Sequence, residues 1–137
     1  MPRTDVTIRT DDGECAATLH TARDGSAHPA VIVYPDAAGA RETFAMMADR
    51  LAAMGYTALL PDVYYRTPFA PFDVATVFSD PGERKRLGDL TAALTPEAIV
   101  RDAGAYLDFL ASRPEVGGLK VYRNGIIHID DGARRRW

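Results

Sequence analysis

The fold of this chain is decided by one stretch, Ala30-Val31-Ile32-Val33-Tyr34-Pro35-Asp36-Ala37-Ala38-Gly39. Its first five residues are apolar without alternation, which is typical of a strand covered on both faces. The proline, aspartate and glycine that follow predict a loop. Apolar residues then recur at helical spacing from Arg41 to Met54, and a second strand of the buried type runs over Tyr56–Leu60. We therefore predict a strand–helix–strand unit with parallel strands.

A short hairpin precedes this unit in the sequence. Val6–Arg9 and Cys15–Leu19 are predicted strands, and the Asp11-Asp12-Gly13 step between them favours a tight turn. After the unit, residues 62–80 carry two prolines and several aromatic residues. This predicts a long irregular excursion, of a kind that is more often functional than structural.

Two helices are predicted beyond this excursion. A charged helix runs from about Pro81 to Leu94. Thr95-Pro96-Glu97 then supplies an N-cap, a first-position proline and a first-turn acid for a second helix, which Pro114 ends. The apolar stripe of that helix consists of Ile99, Ala103, Tyr106, Leu107 and Leu110. Leu119-Lys120-Val121 begins a further strand, so the predicted fold class is α/β, with a mostly parallel sheet flanked by helices.

Length and composition restrict the kind of protein. The chain has 137 residues, of which 47% are apolar and 26% charged, so we expect one globular domain over residues 1–137. A net charge of −3 gives no general attraction to nucleic acid or anionic lipid, and no apolar run is long enough to cross a bilayer. No secretory signal is visible, and the single cysteine, Cys15, excludes an internal disulfide and fits a reducing cytoplasm. We therefore expect a cytoplasmic protein with no nucleic-acid partner and no membrane partner.

The loop after the first central strand is the best candidate site. Ligands of open parallel sheets bind beyond the carboxyl ends of the strands, and this loop runs directly into a helix N-terminus. Its backbone N–H groups could hold an anion or a developing oxyanion, and Asp36 supplies an ionisable side chain. The alternative is that Asp36 only caps the loop.

Other kinds of site have little support in the sequence. Neither G-x-G-x-x-G nor G-x-x-x-x-G-K-[ST] is present, and His20, His28 and His128 are scattered without metal-ligand spacing. We therefore expect no cofactor and no metal. A phosphoacceptor aspartate on a receiver-type sheet would need an acidic cluster, of which Asp36 and Asp62 supply only a part.

The order and spacing of several segments resemble the dienelactone hydrolase family of α/β-hydrolases. Two of them are His28-Pro29-Ala30-Val31-Ile32-Val33-Tyr34-Pro35-Asp36-Ala37-Ala38-Gly39 and Gly55-Tyr56-Thr57-Ala58-Leu59-Leu60-Pro61-Asp62-Val63-Tyr64. The segment from Thr95 to Pro114, followed by Leu119-Lys120-Val121, is similar to the helix and strand that precede the nucleophile in that family. The resemblance covers about residues 5–121 and implies the N-terminal portion of an α/β-hydrolase fold.

The resemblance also implies roles for individual residues. That family hydrolyses esters and lactones with a Cys-His-Asp triad, whose cysteine lies on a G-x-C-x-G-G elbow between a strand and a helix. Asp36 would be an auxiliary loop carboxylate, where the best-known members carry glutamate, and the backbone N–H of Ala37 would be an oxyanion donor. Arg84 and Arg86 are the candidates for binding a substrate carboxylate.

The resemblance stops at the elbow. The sequence there reads Val121-Tyr122-Arg123-Asn124-Gly125-Ile126-Ile127-His128-Ile129-Asp130, so the nucleophile position falls near Ile127, which is neither cysteine nor serine. The Asn124-Gly125 pair between two β-rich runs predicts a hairpin over residues 120–129 instead. We interpret the change of sequence as a frameshift or premature stop. This interpretation predicts a truncated domain with an exposed sheet edge and a homodimer through that edge.

Two functions of different class follow. The first is a dienelactone-hydrolase-like hydrolase of carboxylic esters or lactones, with a small-molecule substrate and with weak or no activity because the triad is missing from this chain. The alternative is a non-catalytic binding or interaction domain that uses the Asp36 loop and the exposed sheet edge. A flavodoxin-like or receiver-like domain is a third and weaker interpretation, which needs no elbow.

Overall fold

The computed structural model describes residues 2–117 and the backbone of residues 126–128. Strands and helices alternate after an initial pair of strands. In chain order they are β1 (Arg3–Thr10), β2 (Gly13–His20), β3 (Ala30–Val33), α1 (Glu42–Ala53), β4 (Thr57–Pro61), α2 (Pro81–Ala93), α3 (Pro96–Ala111) and β5 (Ile126–His128). Residues 62–80 contain turns and irregular backbone without a helix or strand, which confirms the predicted excursion.

The strands form one sheet in the order β1-β2-β4-β3-β5. β3 and β4 run parallel and are joined by α1, so the predicted strand–helix–strand unit is confirmed. The sheet is nevertheless not mostly parallel as predicted. β1 pairs with β2, β2 with β4 and β3 with β5, and all three pairings are antiparallel. The hairpin explains the first of these, because a tight turn can join only antiparallel strands. The fold is therefore a mixed α/β sheet with helices.

Alternate residues of the two parallel strands enter two different cores. Ala30, Ile32 and Leu59 pack with Leu107 and Leu110 of α3 and with the β1–β2 hairpin. The residues between them form the second core with α1; they are Val31, Val33, Ala58 and Leu60, which pack against Ala45 and Ala48. Small alanines on α1 allow the helix axis to approach the sheet closely. Every residue of β3 is buried, as expected for a strand that is covered on both faces.

The helix boundaries agree with local capping chemistry. The Thr95 hydroxyl accepts a hydrogen bond from the N–H of Ala98, and a proline follows at the first helical position, as the sequence predicts. α2 begins in the same way, since the Asp80 carboxylate accepts from Gly82 and Glu83. Gly55 has a φ of +96° just after α1, which is the left-handed conformation that favours glycine at this place.

The edge of β3 that the sequence left open is partly covered. Val31–Val33 pair with Ile126–His128 of β5 in an antiparallel register. The predicted strand at 119–121 and the first arm and turn of the predicted hairpin over 120–129 lie outside the described residues. Within the described part of the chain, no helix has both the length and the apolar character that crossing a membrane requires.

A buried histidine connects β2 to α1. His20 is fully buried; its Nδ1 lies 2.7 Å from Asp49 Oδ1, and its Nε2 lies 2.9 Å from Thr18 Oγ1. Asp49 also accepts hydrogen bonds from the guanidinium of Arg3, at 3.0 Å from its Nε. Arg3 and, to a smaller degree, His20 hold the pKa of Asp49 at about 2. The carboxylate therefore ties the first strand and the second strand to the same helix.

Replacing Asp49 by asparagine should destabilise the fold at neutral pH and leave little effect in strong acid. Because the folded-state pKa is depressed, the stabilisation is fully present above the ordinary value of 3.8 and is lost as the pH falls towards about 2. We expect Asp49→Asn to lower the free energy of unfolding by roughly 1–2 kcal/mol at pH 7, as measured by urea denaturation.

The control is Asp5→Asn, an exposed carboxylate on β1 with no hydrogen bond or ion pair within residues 2–117. If the difference between Asp49→Asn and the unmodified chain were the same at pH 7 and pH 2.5, the ionised carboxylate would not be the stabilising group.

Candidate functional site

The loop after β3 folds as a four-residue turn. The N–H of Gly39 donates to the carbonyl of Asp36 at 2.9 Å, and the N–H of Ala38 donates to Asp36 Oδ1 at 3.1 Å. Gly39 has a φ of +90°, and a Cβ at this position would come within 2.9 Å of the Phe69 ring. Glycine is therefore required here by both the backbone conformation and the close approach of the aromatic ring.

Asp36 is neutralised by an arginine from the same loop. Arg41 binds it through two hydrogen bonds, from Nη1 to Oδ1 at 2.6 Å and from Nη2 to Oδ2 at 2.8 Å. This bidentate pair lowers the pKa of Asp36, against the opposing effect of partial burial. Asp36 caps its own turn through Ala38. A functional role for its carboxylate stays a prediction.

Ala37 is held by its carbonyl and keeps its N–H available. The Tyr64 hydroxyl donates to the Ala37 carbonyl at 2.9 Å. The Ala37 N–H makes no hydrogen bond to any residue that the structure describes, and Ala37 is exposed. An oriented and unpaired backbone N–H at a strand end is the type of donor that can bind a carbonyl oxygen.

A cavity of about 200 Å³ opens beside this loop. It lies at the carboxyl ends of β3 and β4 and is closed on its far side by α3. Its lining is mostly aromatic and aliphatic, with two carboxylates; the lining residues are Tyr34, Pro35, Asp36, Ala37, Val63, Tyr64, Leu94, Ile99, Asp102 and Tyr106. A small, largely apolar molecule with one polar group matches such a lining.

The second carboxylate of the cavity is also neutralised. Asp102 on α3 is only 3% exposed, and Arg66 binds it with two hydrogen bonds of 2.7 Å each. The Tyr65 hydroxyl donates a third, at 2.9 Å. Burying a carboxylate is costly unless it is paired and hydrogen-bonded, and here both oxygens are satisfied. Asp102 is therefore held in one orientation by Arg66 and Tyr65.

The sequence that forms this site matches a known protein family. The model of the dienelactone hydrolase family matches residues 16–126, which is most of the chain. The chain belongs to the dienelactone hydrolase family. No curated protein sequence gives a significant match.

Solved structures of that family share the fold. A Klebsiella pneumoniae protein assigned as a dienelactone hydrolase has a TM-score of 0.66 and 20% identity, over 82% of this chain and 45% of that one. The protein m3DLH has the same TM-score and 24% identity, over 85% and 45%. A dienelactone-hydrolase-like promiscuous phosphotriesterase from metagenomic libraries has a TM-score of 0.57 and 28% identity, over 85% and 46%. The chain thus spans a little under half the length of these relatives.

The two arginines that the resemblance suggests for substrate binding lie on α2 and do not line the cavity. Arg86 is committed to its own surroundings, since it binds Glu83, donates to the Ala70 carbonyl at 2.6 Å and stacks over the Phe72 ring at 3.8 Å. The Arg84 side chain is exposed and makes no hydrogen bond or ion pair within residues 2–117. A substrate-binding role for either arginine stays a prediction.

Neither Cys15 nor the loop of Asp24, Ser26 and His28 has the geometry of a Cys-His-Asp triad. Cys15 is fully buried in β2, where its thiol lies 3.3 Å from the Asp62 carbonyl, and burial raises its pKa to about 11. Asp24, Ser26 and His28 lie together in one loop, but both partners contact the same ring nitrogen, Nε2 of His28, at 3.0 Å. A proton relay needs one partner on each ring nitrogen, so these hydrogen bonds stabilise the loop and do not form a relay.

The residues that sequence reasoning missed are those that neutralise or orient the loop: Arg41, Tyr64, Arg66 and Asp102. One of them carried a signal. Asp102 falls at a position of α3 between Ile99 and Tyr106, on the side that the sequence predicts to be apolar. A charged residue on an apolar stripe indicates a buried ion pair or a site. The stripe prediction itself was wrong at Ile99, which is 42% exposed because it borders the cavity.

Cys15 should be chemically inert in the folded chain. With a pKa of about 11, its thiolate population at pH 8 is roughly 100-fold below that of an ordinary cysteine. We therefore expect Cys15 to react with a disulfide reagent such as DTNB at least about 100-fold more slowly in the native protein than in guanidinium chloride at about 6 M, where the chain is unfolded. Equal rates in the two conditions would show that β2 does not protect the thiol.

Proposed function

We propose that this chain binds the carbonyl group of a small carboxylic ester or lactone at the Ala37 loop. In this proposal it supplies the carbonyl-binding part of a dienelactone-hydrolase-type hydrolase, with weak or no turnover by these 137 residues alone. The observation that carries the proposal is the unpaired Ala37 N–H at the mouth of an apolar cavity, in a chain that belongs to this family.

The physical reason is the charge that develops during ester hydrolysis. Attack on the carbonyl carbon moves negative charge to the carbonyl oxygen, and a preorganised N–H stabilises that oxygen most in a site from which water is partly excluded. The Ala37 N–H is preorganised because the Tyr64 hydroxyl and the Asp36–Gly39 turn fix the peptide groups around it. The paired carboxylates of Asp36 and Asp102 add no net charge that would oppose the oxyanion.

The size and lining of the cavity support a small neutral substrate. A volume of about 200 Å³ is below the usual range for drug-sized ligands, and its wall is formed largely by tyrosines and by Leu94 and Ile99. A lactone or a short ester places one polar carbonyl in otherwise apolar surroundings. The same features favour a neutral carbonyl compound over a free carboxylate.

Titration of the isotope-labelled chain with γ-butyrolactone tests this proposal by NMR. We expect the Ala37 amide signal to shift saturably, together with the Ile99 methyl signals that face the same cavity. The signals of the Asp24–His28 loop should not move, because that loop lies at the other end of β3. If the lactone left Ala37 unshifted at saturation, or shifted both loops alike, carbonyl binding at this site would be wrong.

Two substitutions at Ala37 separate the N–H from the side chain. Ala37→Pro removes the donor but should preserve the turn, because proline is favoured at the second position of a turn. Ala37→Ser keeps the donor and is the matched control. We expect the lactone Kd, followed on Ile99, to rise about 5-fold for the proline variant, the loss of one hydrogen bond worth about 1 kcal/mol, and to stay unchanged for serine.

The alternative function is a binding domain without catalysis. The burial of Cys15 outside the cavity favours it, because the chain's one thiol cannot reach a bound carbonyl there. Turnover of 4-nitrophenyl acetate discriminates the two: hydrolysis that Asp36→Ala and Ala37→Pro abolish indicates residual hydrolase chemistry. Lactone binding with turnover no faster than in buffer favours the binding domain. Homodimerisation through a sheet edge is a separate proposal, which light scattering tests directly.

A further inference from the structure

The peptide that follows Ala37 is held by the Asp36 carboxylate on its N–H side and by one tyrosine hydroxyl on its carbonyl side. Tyr64 donates to the Ala37 carbonyl at 2.9 Å, and this tyrosine is only 6% exposed. Its ring meets the Phe69 ring edge-on, with the centroids 5.5 Å apart. Burial raises the pKa of Tyr64, so its hydroxyl keeps the proton that it donates. The tyrosine therefore acts as a rigid clamp on the peptide that follows Ala37.

The two residues after the clamp are anchored to a single carboxylate on another element. The Tyr65 hydroxyl and the Arg66 guanidinium both bind Asp102 of α3, with three hydrogen bonds between 2.7 and 2.9 Å. Asp12 in the β1–β2 turn receives a further hydrogen bond from Nε of the same arginine, at 2.9 Å. The chain leaving β4 is thus fixed at the residues next to Tyr64, from two sides.

Local hydrogen bonds restrict the backbone from Asp62 to Thr67, which includes Tyr64 and Arg66. The Tyr64 N–H donates to Asp62 Oδ1 at 3.0 Å, and the Thr67 N–H donates to the Tyr64 carbonyl at 2.9 Å. Residues 62–67 form two overlapping hydrogen-bonded turns, so a displacement of the Arg66 backbone is transmitted to Tyr64. A displaced Tyr64 would release the Ala37 carbonyl and leave the peptide after Ala37 held by the Asp36 carboxylate alone.

We infer that Asp102 and Arg66 are positioning residues, which set the orientation of the Ala37 N–H through Tyr64. The inference rests on the proposed function insofar as Ala37 is taken to bind the substrate carbonyl. It assigns a purpose to an ion pair that makes no hydrogen bond to the Ala37 loop. Such a pair is weak evidence for stability, since an apolar replacement can be as stable. Orientation of a remote donor is a role that an apolar pair could not perform, because it would remove the three hydrogen bonds that hold Tyr65 and Arg66 at α3.

The test follows the carbonyl-carbon NMR signal of Ala37, which responds to the hydrogen bond from Tyr64. We expect Tyr64→Phe to shift this signal and to raise the γ-butyrolactone Kd about 5-fold, for the loss of about 1 kcal/mol of preorganisation. The matched control is Ser112→Ala. It removes a hydroxyl that also donates to a backbone carbonyl, that of Phe109 at 2.7 Å, and Ser112 does not line the cavity.

The decisive variants are at Arg66. Arg66→Met should shift the Ala37 carbonyl signal in the same direction as Tyr64→Phe, and Arg66→Lys should shift it less, because lysine keeps the charge but not the bidentate fork. Arg113→Met is the control, since Arg113 forms a comparable pair with Glu115 that does not involve Tyr64. Should the methionine variant fail to fold, the lysine variant still gives the answer.

The outcomes separate this inference from the proposed function. If both folded Arg66 variants left the Ala37 carbonyl signal where Arg113→Met leaves it, the positioning role would be wrong. If the signal moved as expected while the unmodified chain showed no response to lactone, the positioning of Ala37 would hold and carbonyl binding would be wrong.

Discussion

The parallel pairing of β3 with β4 is the constraint on which the other features of this structure depend. Parallel strands cannot be joined by a tight turn, so the chain must cross over, and α1 is that crossover. Both strands are buried on both faces, so a second helix has to cover the side that α1 does not, and α3 does so. The crossover also brings the carboxyl ends of both strands to one edge. The loop of Asp36 and the turn of Tyr64 meet there for this reason.

Pairing of charges then determines what that edge can bind. The cavity has two carboxylates in its wall, and each is bound in bidentate fashion by an arginine, Asp36 by Arg41 and Asp102 by Arg66. Two neutral groups remain unpaired among the described residues of this edge, the Ala37 N–H and the buried Tyr34 hydroxyl. A site whose charges are neutralised internally has little attraction for a free ion. It is suited to a neutral molecule that develops charge on one oxygen, and an ester or lactone carbonyl does so when it is attacked.

The sequence predicted the parts of this arrangement that are local and failed where distant residues meet. The strand–loop–helix pattern at 30–54 and the Thr95 cap depend on neighbouring residues, and both are confirmed. The hydrogen bond from Tyr64 to Ala37 joins residues that are 27 apart in the sequence, and the ion pair of Arg66 with Asp102 joins residues that are 36 apart. No short spacing encodes such pairs. The sequence makes no prediction for the sense in which β5 pairs with β3, because a hydrophobic pattern indicates a strand but not its direction.

The strand beside β3 limits what else can pair with that edge of the sheet. Hydrogen-bonding groups of Val31–Val33 are engaged by the antiparallel β5. One edge can pair with one strand at a time, so any parallel strand brought to β3 must first displace β5. Carbonyl binding at Ala37 needs no such exchange, because Ala37 lies beyond the end of the strand, in a turn that Asp36 and Tyr64 hold without help from that edge.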